Sequence, residues 1–300
     1  MRFLPPPSPI LALLLLGTLV GCSGELAPQR AESTDLSSAE VPAAEVTAAE
    51  VLDRMAAAYR EADSYFDNAT YHETFLKRGE EQLISPPPHQ VSVVFERPNR
   101  FRLLRRELAT SRGELSVTAA SDGKRFMATI SNVSDQILDL PAPAALSAAT
   151  ITPDLVLRQA LTPVSLENLF PQLDLLLASD TAPAKLLLAI EPRRLADREL
   201  KGTNCYRVEV HHTTGKHRLW IDAENYLLRR LELPTEEIQR QLDPQGVMLD
   251  WRLWIDFNDA HAGGPLADSL FQLDVPPGAG RVASFTQPTA ADPVRGNENQ

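Results

Sequence analysis

The chain has 300 residues, which is enough for one large β domain or two small domains with a substantial core. Its net charge of −11 disfavours a nucleic-acid partner, because nucleic-acid phosphates require a basic surface. Nucleophile-elbow, zinc-helix, Cys-x-x-Cys and phosphate-loop motifs do not occur in it. We therefore expect a protein that is not an enzyme, with no catalytic residue, cofactor or bound metal.

The N-terminus has the pattern of an export signal. Arg2 precedes an apolar run at residues 10–20, which is about half the length that a membrane-spanning helix needs. Leu19-Val20-Gly21-Cys22 resembles the bacterial lipoprotein signal, in which processing leaves the cysteine as the first mature residue, carrying acyl chains such as palmitate. The sequence thus predicts a signal peptide at residues 1–21 and lipidation at Cys22. An ordinary cleaved signal is the alternative.

Localisation follows from the same resemblance. Ser23 stands where an aspartate commonly marks retention in the inner membrane of enterobacteria, so a lipid-anchored protein on the periplasmic face of the outer membrane is implied. Residues 22–46 lack aromatic residues and predict a disordered tether, which would span on the order of 30 Å. Residues 287–300 predict a disordered tail, which leaves 47–286 as the folded domain. Only Cys205 remains once Cys22 is acylated, so no intramolecular disulfide is expected.

The folded domain is predicted to open with a helix. Thr47-Ala48-Ala49-Glu50 forms a capping box, and an apolar stripe at spacings of three and four follows it: Val51, Met55, Tyr59, Ala62 and Phe66. The pattern then changes to period two, which is typical of strands, at residues 91–95, 101–103, 115–119 and 126–130. The first half of the domain therefore reads as an antiparallel meander after a helix.

The second half begins with a region rich in Ala, Leu and Pro at residues 141–192. Helix starts are predicted there at Thr152-Pro153 and Thr181-Ala182-Pro183. Strands resume at Tyr206 and cover residues 206–210, 217–221, 227–233 and 251–257, each with one apolar face. This alternation favours an α+β fold in which one curved antiparallel β-sheet wraps the N-terminal helix.

Several motifs follow the opening helix in a fixed order: Glu96-Arg97-Pro98-Asn99-Arg100-Phe101-Arg102-Leu103, Ser121-Asp122-Gly123-Lys124, Leu219-Trp220-Ile221-Asp222 and Val275-Pro276-Pro277-Gly278-Ala279. In this order, across residues 48–286, the chain resembles the outer-membrane lipoprotein carrier superfamily, the LolA/LolB-like proteins and their periplasmic relatives of unknown function. The resemblance implies an incomplete, half-open barrel closed by short lid helices. It also implies an apolar cavity that accepts acyl chains.

The implied ligand is hydrophobic, either a lipid or an acylated lipoprotein. We expect the lining to be Val91, Val93, Phe95, Phe101, Leu103, Leu219, Ile221, Trp251, Leu253, Ile255 and Phe257. Lid residues are expected to be Arg97, Leu173, Leu176 and Leu177. Arg97 matches the carrier arginine that hydrogen-bonds the lid helices, and its planar fork suits several helix-end carbonyls at once. The alternative is that Arg97 merely ends a strand.

Other interpretations stay open. His211, His212 and His217 are expected to lie in a solvated turn, and a zinc or copper site is the alternative. Cys205 is expected to be a structural thiol. The main alternative function is a protein-binding envelope sensor or regulatory module without lipid cargo, and an enzyme with a dispersed site is a third. The soluble carrier of the resembled superfamily has no lipid anchor, whereas this chain is predicted to have one. The resemblance therefore leaves the identity of any cargo or partner open.

Overall fold

A computed structural model describes residues 46–286, except 111–112, 162–169, 180–181, 189, 214, 237–238, 241–242 and 244. The predicted signal peptide, Cys22, nearly all of the tether and the tail lie outside the described residues. Within the described ranges, no helix has the length and hydropathy that crossing a membrane requires.

The helices are short and the strands dominate. The helices are α1 (Ala48–Arg60), α2 (Ala148–Ile151), α3 (Leu155–Leu161) and α4 (Pro171–Leu176), with 3-10 turns at Ser131–Val133, Lys185–Leu187 and Asp268–Phe271. The strands are β1 (Ser64–Lys77), β2 (Leu83–Ile84), β3 (His89–Glu96), β4 (Arg100–Thr110), β5 (Gly113–Asp122), β6 (Arg125–Ile130), β7 (Gln136–Pro141), β8 (Ile190–Leu200), β9 (Thr203–His212), β10 (Gly215–Asp222), β11 (Leu228–Leu233), β12 (Met248–Ala262) and β13 (Gly280–Val282).

All of these strands join one sheet in the order β13-β7-β6-β5-β4-β3-β1-β12-β11-β10-β9-β8, and β2 pairs with β1. Neighbouring strands are antiparallel, except that β13 runs parallel to β7. In the described part of the chain, the edge strands β13 and β8 do not pair with each other, so the barrel is open. The predicted fold class, a curved and incomplete antiparallel barrel, is confirmed.

Helix α1 lies on the concave face of this sheet. Its capping box is formed as predicted: the Thr47 hydroxyl accepts from the Glu50 amide, and the Glu50 carboxylate accepts from the Thr47 amide. Val51, Met55 and Tyr59 on one side of α1 are fully buried in the same apolar cluster as the inward side chains of the strands. The core of the domain therefore lies between α1 and the sheet.

The apolar stripe of the helix was extended too far in the sequence-based prediction. Helix α1 ends at Arg60, and strand β1 begins at Ser64, so Phe66 lies on a strand. From Tyr65 onward, buried and more exposed residues alternate, which is the period of a strand. The i, i+4 spacing of Ala62 and Phe66 fitted a helix by coincidence, and β1 was missed altogether.

The helix starts in the Ala/Leu/Pro-rich region were also misplaced. Thr152 ends α2, and α3 begins at Leu155 because the Asp154 carboxylate accepts the Leu157 amide at 2.9 Å. The second predicted start leads only to the 3-10 turn Lys185–Leu187. Strand β8 follows directly, although strands were not expected before Tyr206.

Candidate ligand-binding face

The predicted lining residues lie together on the concave face. They occupy alternate positions of β3, β4, β10 and β12, and side chains at alternate positions of a strand share one face. All are at most 8% exposed and belong to one apolar cluster: Val91, Val93, Phe95, Phe101, Leu103, Leu219, Ile221, Trp251, Leu253, Ile255 and Phe257. Their contact with a ligand stays a prediction.

Helices α1, α3 and α4 cover this face. Leu173 and Leu176, two of the predicted lid residues, are buried in the same apolar cluster on α4. Leu177, the third, ends α4 and is half-buried against that cluster. Helix α4 also packs against α1. The helices therefore keep the concave face out of water.

Arg97 connects the sheet to the ends of two helices. It lies between β3 and β4, where its own backbone amide donates to the Asp63 carbonyl at 2.8 Å. Its guanidinium donates to the carbonyls of Arg60 (3.1 Å), the last residue of α1, Ala62 (3.1 Å), just after it, and Leu176 (2.8 Å), the last residue of α4. Helix C-termini leave carbonyls without partners and carry partial negative charge, so a guanidinium suits them. Arg97 thus holds α4 to the end of α1.

A carboxyl group is buried on the apolar face. Asp67 of β1 is fully buried and lies opposite Val93 of β3. It accepts hydrogen bonds from the Tyr65 hydroxyl (2.7 Å) and the Val93 amide (3.1 Å). Burial raises the pKa of the Asp67 carboxyl to about 7, although Tyr65, Val93 and Gln172 oppose the shift by hydrogen bonding. Burial also raises the pKa of the Tyr65 phenol well above its ordinary value.

Two more polar groups face this region. Gln172 of α4 is fully buried, and its amide interacts with the Asp67 carboxyl, although neither of its polar atoms has a partner of good hydrogen-bond geometry among the described residues. On α1, the Tyr59 hydroxyl accepts from the Leu228 amide at 3.1 Å, and its ring centroid lies 5.3 Å from that of Tyr65. Polar groups of α1, β1 and α4 thus meet inside an otherwise apolar core.

A second polar cluster lies farther along the same face. The buried guanidinium of Arg105 donates to the Ala160 carbonyl of α3 and to Glu107. His89 lies 3.5 Å from Glu107 and 5.8 Å, between ring centroids, from Tyr71. Burial lowers the pKa of Arg105 to about 10, and burial together with the charge of Arg105 lowers the pKa of His89. Arg105 is already paired, so this cluster fixes α3 to the sheet.

A polar cleft of about 820 Å³ opens at the end of the sheet where α1 stops. It is lined by Ala58, Glu61, Ala62, Asp63, Ser64, Glu96, Arg97, Arg100, Ala262, Gly263, Gly264, Pro265 and Leu266. One wall contains Arg97, so the cleft leads to the contact that holds α4. Three carboxylates and two arginines face it, which suits a polar group better than a hydrocarbon chain.

The three histidines do not converge on one point. His212 and His217 meet edge to face, with ring centroids 4.9 Å apart, whereas His211 lies 3.7 Å from Glu209. Burial, with the neighbouring His212, lowers the pKa of His217 to about 4. Among the described residues, no group of three or more His, Cys, Asp or Glu could hold a metal ion. Cys205 is free and buried, and burial raises the pKa of its thiol to about 11.

Sequence reasoning missed Asp67, Tyr65 and Gln172. The first two lie on β1, which was interpreted as the continuation of α1, so their inward direction was not recognised. The signal was present as Tyr65, Asp67, Ala69 and Tyr71 at every second position. Gln172 gave no signal, because a single glutamine in a leucine-rich segment reads as a solvent-exposed residue of a helix.

An open antiparallel half-barrel, with its apolar concave face covered by helices, is the architecture that the sequence motifs led us to expect. The chain belongs to the DUF2092 family, described as predicted periplasmic protein, which matches residues 48–284. No curated protein matches the chain.

Solved structures similar to this chain include members of the indicated superfamily. A LolA superfamily protein from Nitrosomonas europaea is 13% identical, over 76% of this chain and 99% of that chain, with a TM-score of 0.27. Lipoprotein LppX from Mycobacterium tuberculosis is 8% identical, over 73% and 98%, with a TM-score of 0.37. The Pseudomonas aeruginosa MucA/MucB complex is 12% identical, over 76% of this chain but 61% of that chain, with a TM-score of 0.29. At these values the likeness transfers no ligand, partner or site to this chain.

Proposed function

We propose that this chain is a lipid-anchored protein of the cell envelope that binds or carries a hydrophobic ligand, a lipid or an acylated lipoprotein, without catalysing a reaction. One observation supports this most directly: the apolar concave face is covered by short helices, and α4 is held at its end by Arg97. Six residues are too few for a helix that is stable alone, so α4 depends on these contacts. It is therefore the element that a ligand displaces most easily.

Exchange of α4 for an acyl chain is favourable in principle. Leu173, Leu175 and Leu176 of α4 bury their side chains against the concave face. When α4 moves away, the methylenes of an acyl chain cover the same surface, so little apolar area is left in water. The sheet then needs no permanent cavity, and the ligand completes the core.

Native mass spectrometry tests this proposal. The mature chain carrying Cys22→Ser, exported behind a cleavable signal and purified without detergent, should retain discrete lipid adducts. The adducts should be lost in Leu103→Glu, which places a charge on the concave face. Leu104→Glu, on the other face of the same strand, is the matched control and should keep them. Circular dichroism must show that both variants fold, and a clean apo mass for the parent chain would contradict the proposal.

The anchor is tested separately. Cells fed a palmitate analogue should label the wild-type chain but not Cys22→Ser, and the label should co-fractionate with the outer membrane. Unlabelled wild-type chain would show that the N-terminus is an ordinary cleaved signal. Label in the inner-membrane fraction would refute the outer-membrane assignment while leaving the anchor intact.

A second candidate function, binding of a partner protein, is favoured by the polar cleft beside Arg97. Glu61 and Asp63 line it without an ion pair among the described residues, so they are available to a basic segment of a partner. Crosslinking in the envelope should then capture one dominant partner, and Glu61→Arg should abolish that product. Stable capture by a protein that retains no lipid would favour this function over carriage.

A further inference from the structure

The convex face of strands β8–β12 carries charged and aromatic side chains, whereas the concave positions of the same strands are apolar. Residues that lie directly opposite each other in antiparallel strands share a face. The pairing therefore places the outward side chains in two rows across β9 to β12: Arg207, Trp220, Arg230 and Asp256 in one, and Glu209, Arg218, Glu232 and Trp254 in the other. Arg193 of β8 extends the second row, because it lies opposite Glu209.

The buried carboxylates of this face lie beneath the cations. Glu209 is only 2% exposed, and its carboxylate lies 3.0 Å from Arg193 and 3.1 Å from Arg218. The side chains of these two arginines are 67% and 47% exposed. Asp256 is also buried and is shared by two cations: Arg230 and Lys201. Positive charge thus forms the outer layer of the convex face.

Three further cations of this face form no ion pair among the described residues. Arg207 stacks on Trp220, with its guanidinium carbon 4.5 Å from the ring centroid. Burial and the nearby charges of Arg198 and Arg218 lower the pKa of Arg207. Arg198 and Lys216 lie opposite outward residues of β9, and both are exposed. Like charges held together in this way repel each other, and an anionic partner relieves that repulsion.

Charge complementarity therefore indicates an anionic partner. The seven cations named above face three carboxylates, and the other charges here form the pairs Arg229–Asp222 and Arg252–Asp250. The whole chain has a net charge of −11, so this face is opposite in sign to the average surface. Its cations are spread over neighbouring strands, roughly 20 Å in width at about 4.8 Å per strand. Such an arrangement suits a surface with many negative charges better than one small anion.

A bilayer that contains anionic phospholipids presents such a surface. The tether expected at residues 22–46 spans on the order of 30 Å, which lets the domain turn this face toward the membrane that holds its anchor. Lysine and arginine side chains close to an anionic bilayer each add to binding, and only those within about 10 Å of it count at about 0.1 M salt. The acidic remainder of the domain is then screened.

We propose that the convex face of β8–β12 docks on the anionic phospholipid surface of the membrane to which the protein is anchored. This inference rests on the lipid anchor of the proposed function, because the anchor keeps the domain close to a bilayer. It goes further by giving the domain an orientation. The helices that cover the concave face then point away from that membrane.

Vesicle co-sedimentation of the unacylated chain tests the inference. The mature chain carrying Cys22→Ser is mixed with vesicles of phosphatidylethanolamine that contain one quarter phosphatidylglycerol, at about 0.1 M salt. It should bind them at least about ten-fold more strongly than vesicles of phosphatidylcholine. Binding should fall steeply at about 0.5 M salt, because salt screens the attraction.

Matched variants locate the surface that binds. Arg198→Gln combined with Lys216→Gln removes two exposed charges without breaking an ion pair, and should weaken binding at least about ten-fold. Lys124→Gln combined with Lys185→Gln removes two exposed charges elsewhere, in the turn after β5 and among the covering helices, and should keep the affinity within about two-fold. Arg198→Lys combined with Lys216→Arg keeps the charges and should bind like the parent chain. Circular dichroism checks that each variant folds.

The outcomes separate this inference from the proposed function. Equal binding by the two glutamine double variants, or binding that depends on neither salt nor phosphatidylglycerol, would overturn the docking face. Capture of an acidic protein by this face without vesicle binding would overturn it as well. Leu103→Glu, on the concave face, should lose the lipid adducts but keep vesicle binding, so carriage and docking fail independently. A wild-type chain that takes up no palmitate analogue would refute the anchor alone, because vesicle binding is measured on the unacylated chain.

Discussion

Replacing Arg97 with alanine should loosen the cover of the concave face. The side chain donates three hydrogen bonds, two to carbonyls at the C-terminal end of α1 and one to the Leu176 carbonyl of α4. Arg97 keeps part of its surface in water, so each bond contributes roughly 0.5–1 kcal/mol, near the low end of the usual range. The free energy of unfolding should therefore fall by about 2 kcal/mol. In the wild-type chain, local opening of α4 breaks only one of these three bonds, the one to Leu176. Arg97→Ala should therefore lower the free energy of this opening by about 1 kcal/mol, which changes the opening equilibrium about five-fold.

Two measurements check these magnitudes. Urea unfolding of the mature chain with Cys22→Ser reports the global loss, and hydrogen exchange of the Leu177 amide, which bonds the Leu173 carbonyl at 3.0 Å, reports the opening of α4. Arg97→Lys should recover about one of the three bonds, because an ammonium cannot span separated carbonyls as a guanidinium does. Arg252→Ala is the control: this exposed arginine pairs, among the described residues, only with the exposed Asp250, so its loss should change the stability by less than about 0.5 kcal/mol. If Arg97→Ala behaves like this control, Arg97 only ends a strand.

Three further predictions concern stability and reactivity. Burial raises the pKa of Asp67 to about 7, so the contribution of this carboxyl to stability is full below pH 4 and is lost as the pH rises through 7. The free energy of unfolding should therefore fall by about 2–3 kcal/mol between pH 5 and 8, relative to Asp67→Asn. Urea titrations at both pH values will show this. An identical pH profile in both chains would contradict the buried position of this carboxyl. Burial raises the pKa of the Cys205 thiol to about 11. At pH 8, iodoacetamide should therefore label this thiol roughly a hundred-fold more slowly in the folded than in the unfolded chain. Equal labelling rates, measured by mass spectrometry, would refute this prediction. Gly215→Ala should lower the free energy of unfolding by about 1–3 kcal/mol, because φ is +124° and the new Cβ would lie 2.6 Å from the Cβ of Pro234. Gly202→Ala, at φ +85° with open space around it, should cost only about 1 kcal/mol, and equal costs would argue against the close contact.

The sequence predicted the sheet well wherever one face of a strand is buried and the other is wet. The strands around Val93, Leu103, Leu219 and Leu253 were found for this reason, because burial of alternate residues leaves a period of two in the sequence. Strand β8 was missed because it is an edge strand with mostly exposed, charged side chains, which leave no such period. Strand order was not predicted, because it depends on contacts between distant segments, and the incomplete barrel came from the family resemblance.

The candidate site was predicted in its apolar part and missed in its polar part. The apolar lining residues were predicted from their periodicity, and Arg97 was predicted from its position before a proline and a turn. The period of two around Asp67 gave its direction, but Gln172 had no local signal, and their contact depends on a helix and a strand meeting across about one hundred residues of sequence. A polar residue in an apolar pattern reads as exposed until the structure places a helix over it.

The length of chain that a ligand needs follows from what it replaces. Opening α4 exposes Leu173, Leu175 and Leu176, at about 2 kcal/mol each, and loses the Leu176 bond to Arg97 at about 1 kcal/mol, so the cost is about 7 kcal/mol. Each methylene of a ligand returns about 0.8 kcal/mol on burial, so about nine methylenes offset the opening. Alcohols from hexanol to hexadecanol can be compared by displacement of a fluorescent fatty probe from the delipidated mature chain. They should show no measurable binding at six carbons and steeply rising affinity beyond about ten. Tight binding of hexanol would mean that ligands enter without displacing α4, for example through the polar cleft beside Arg97.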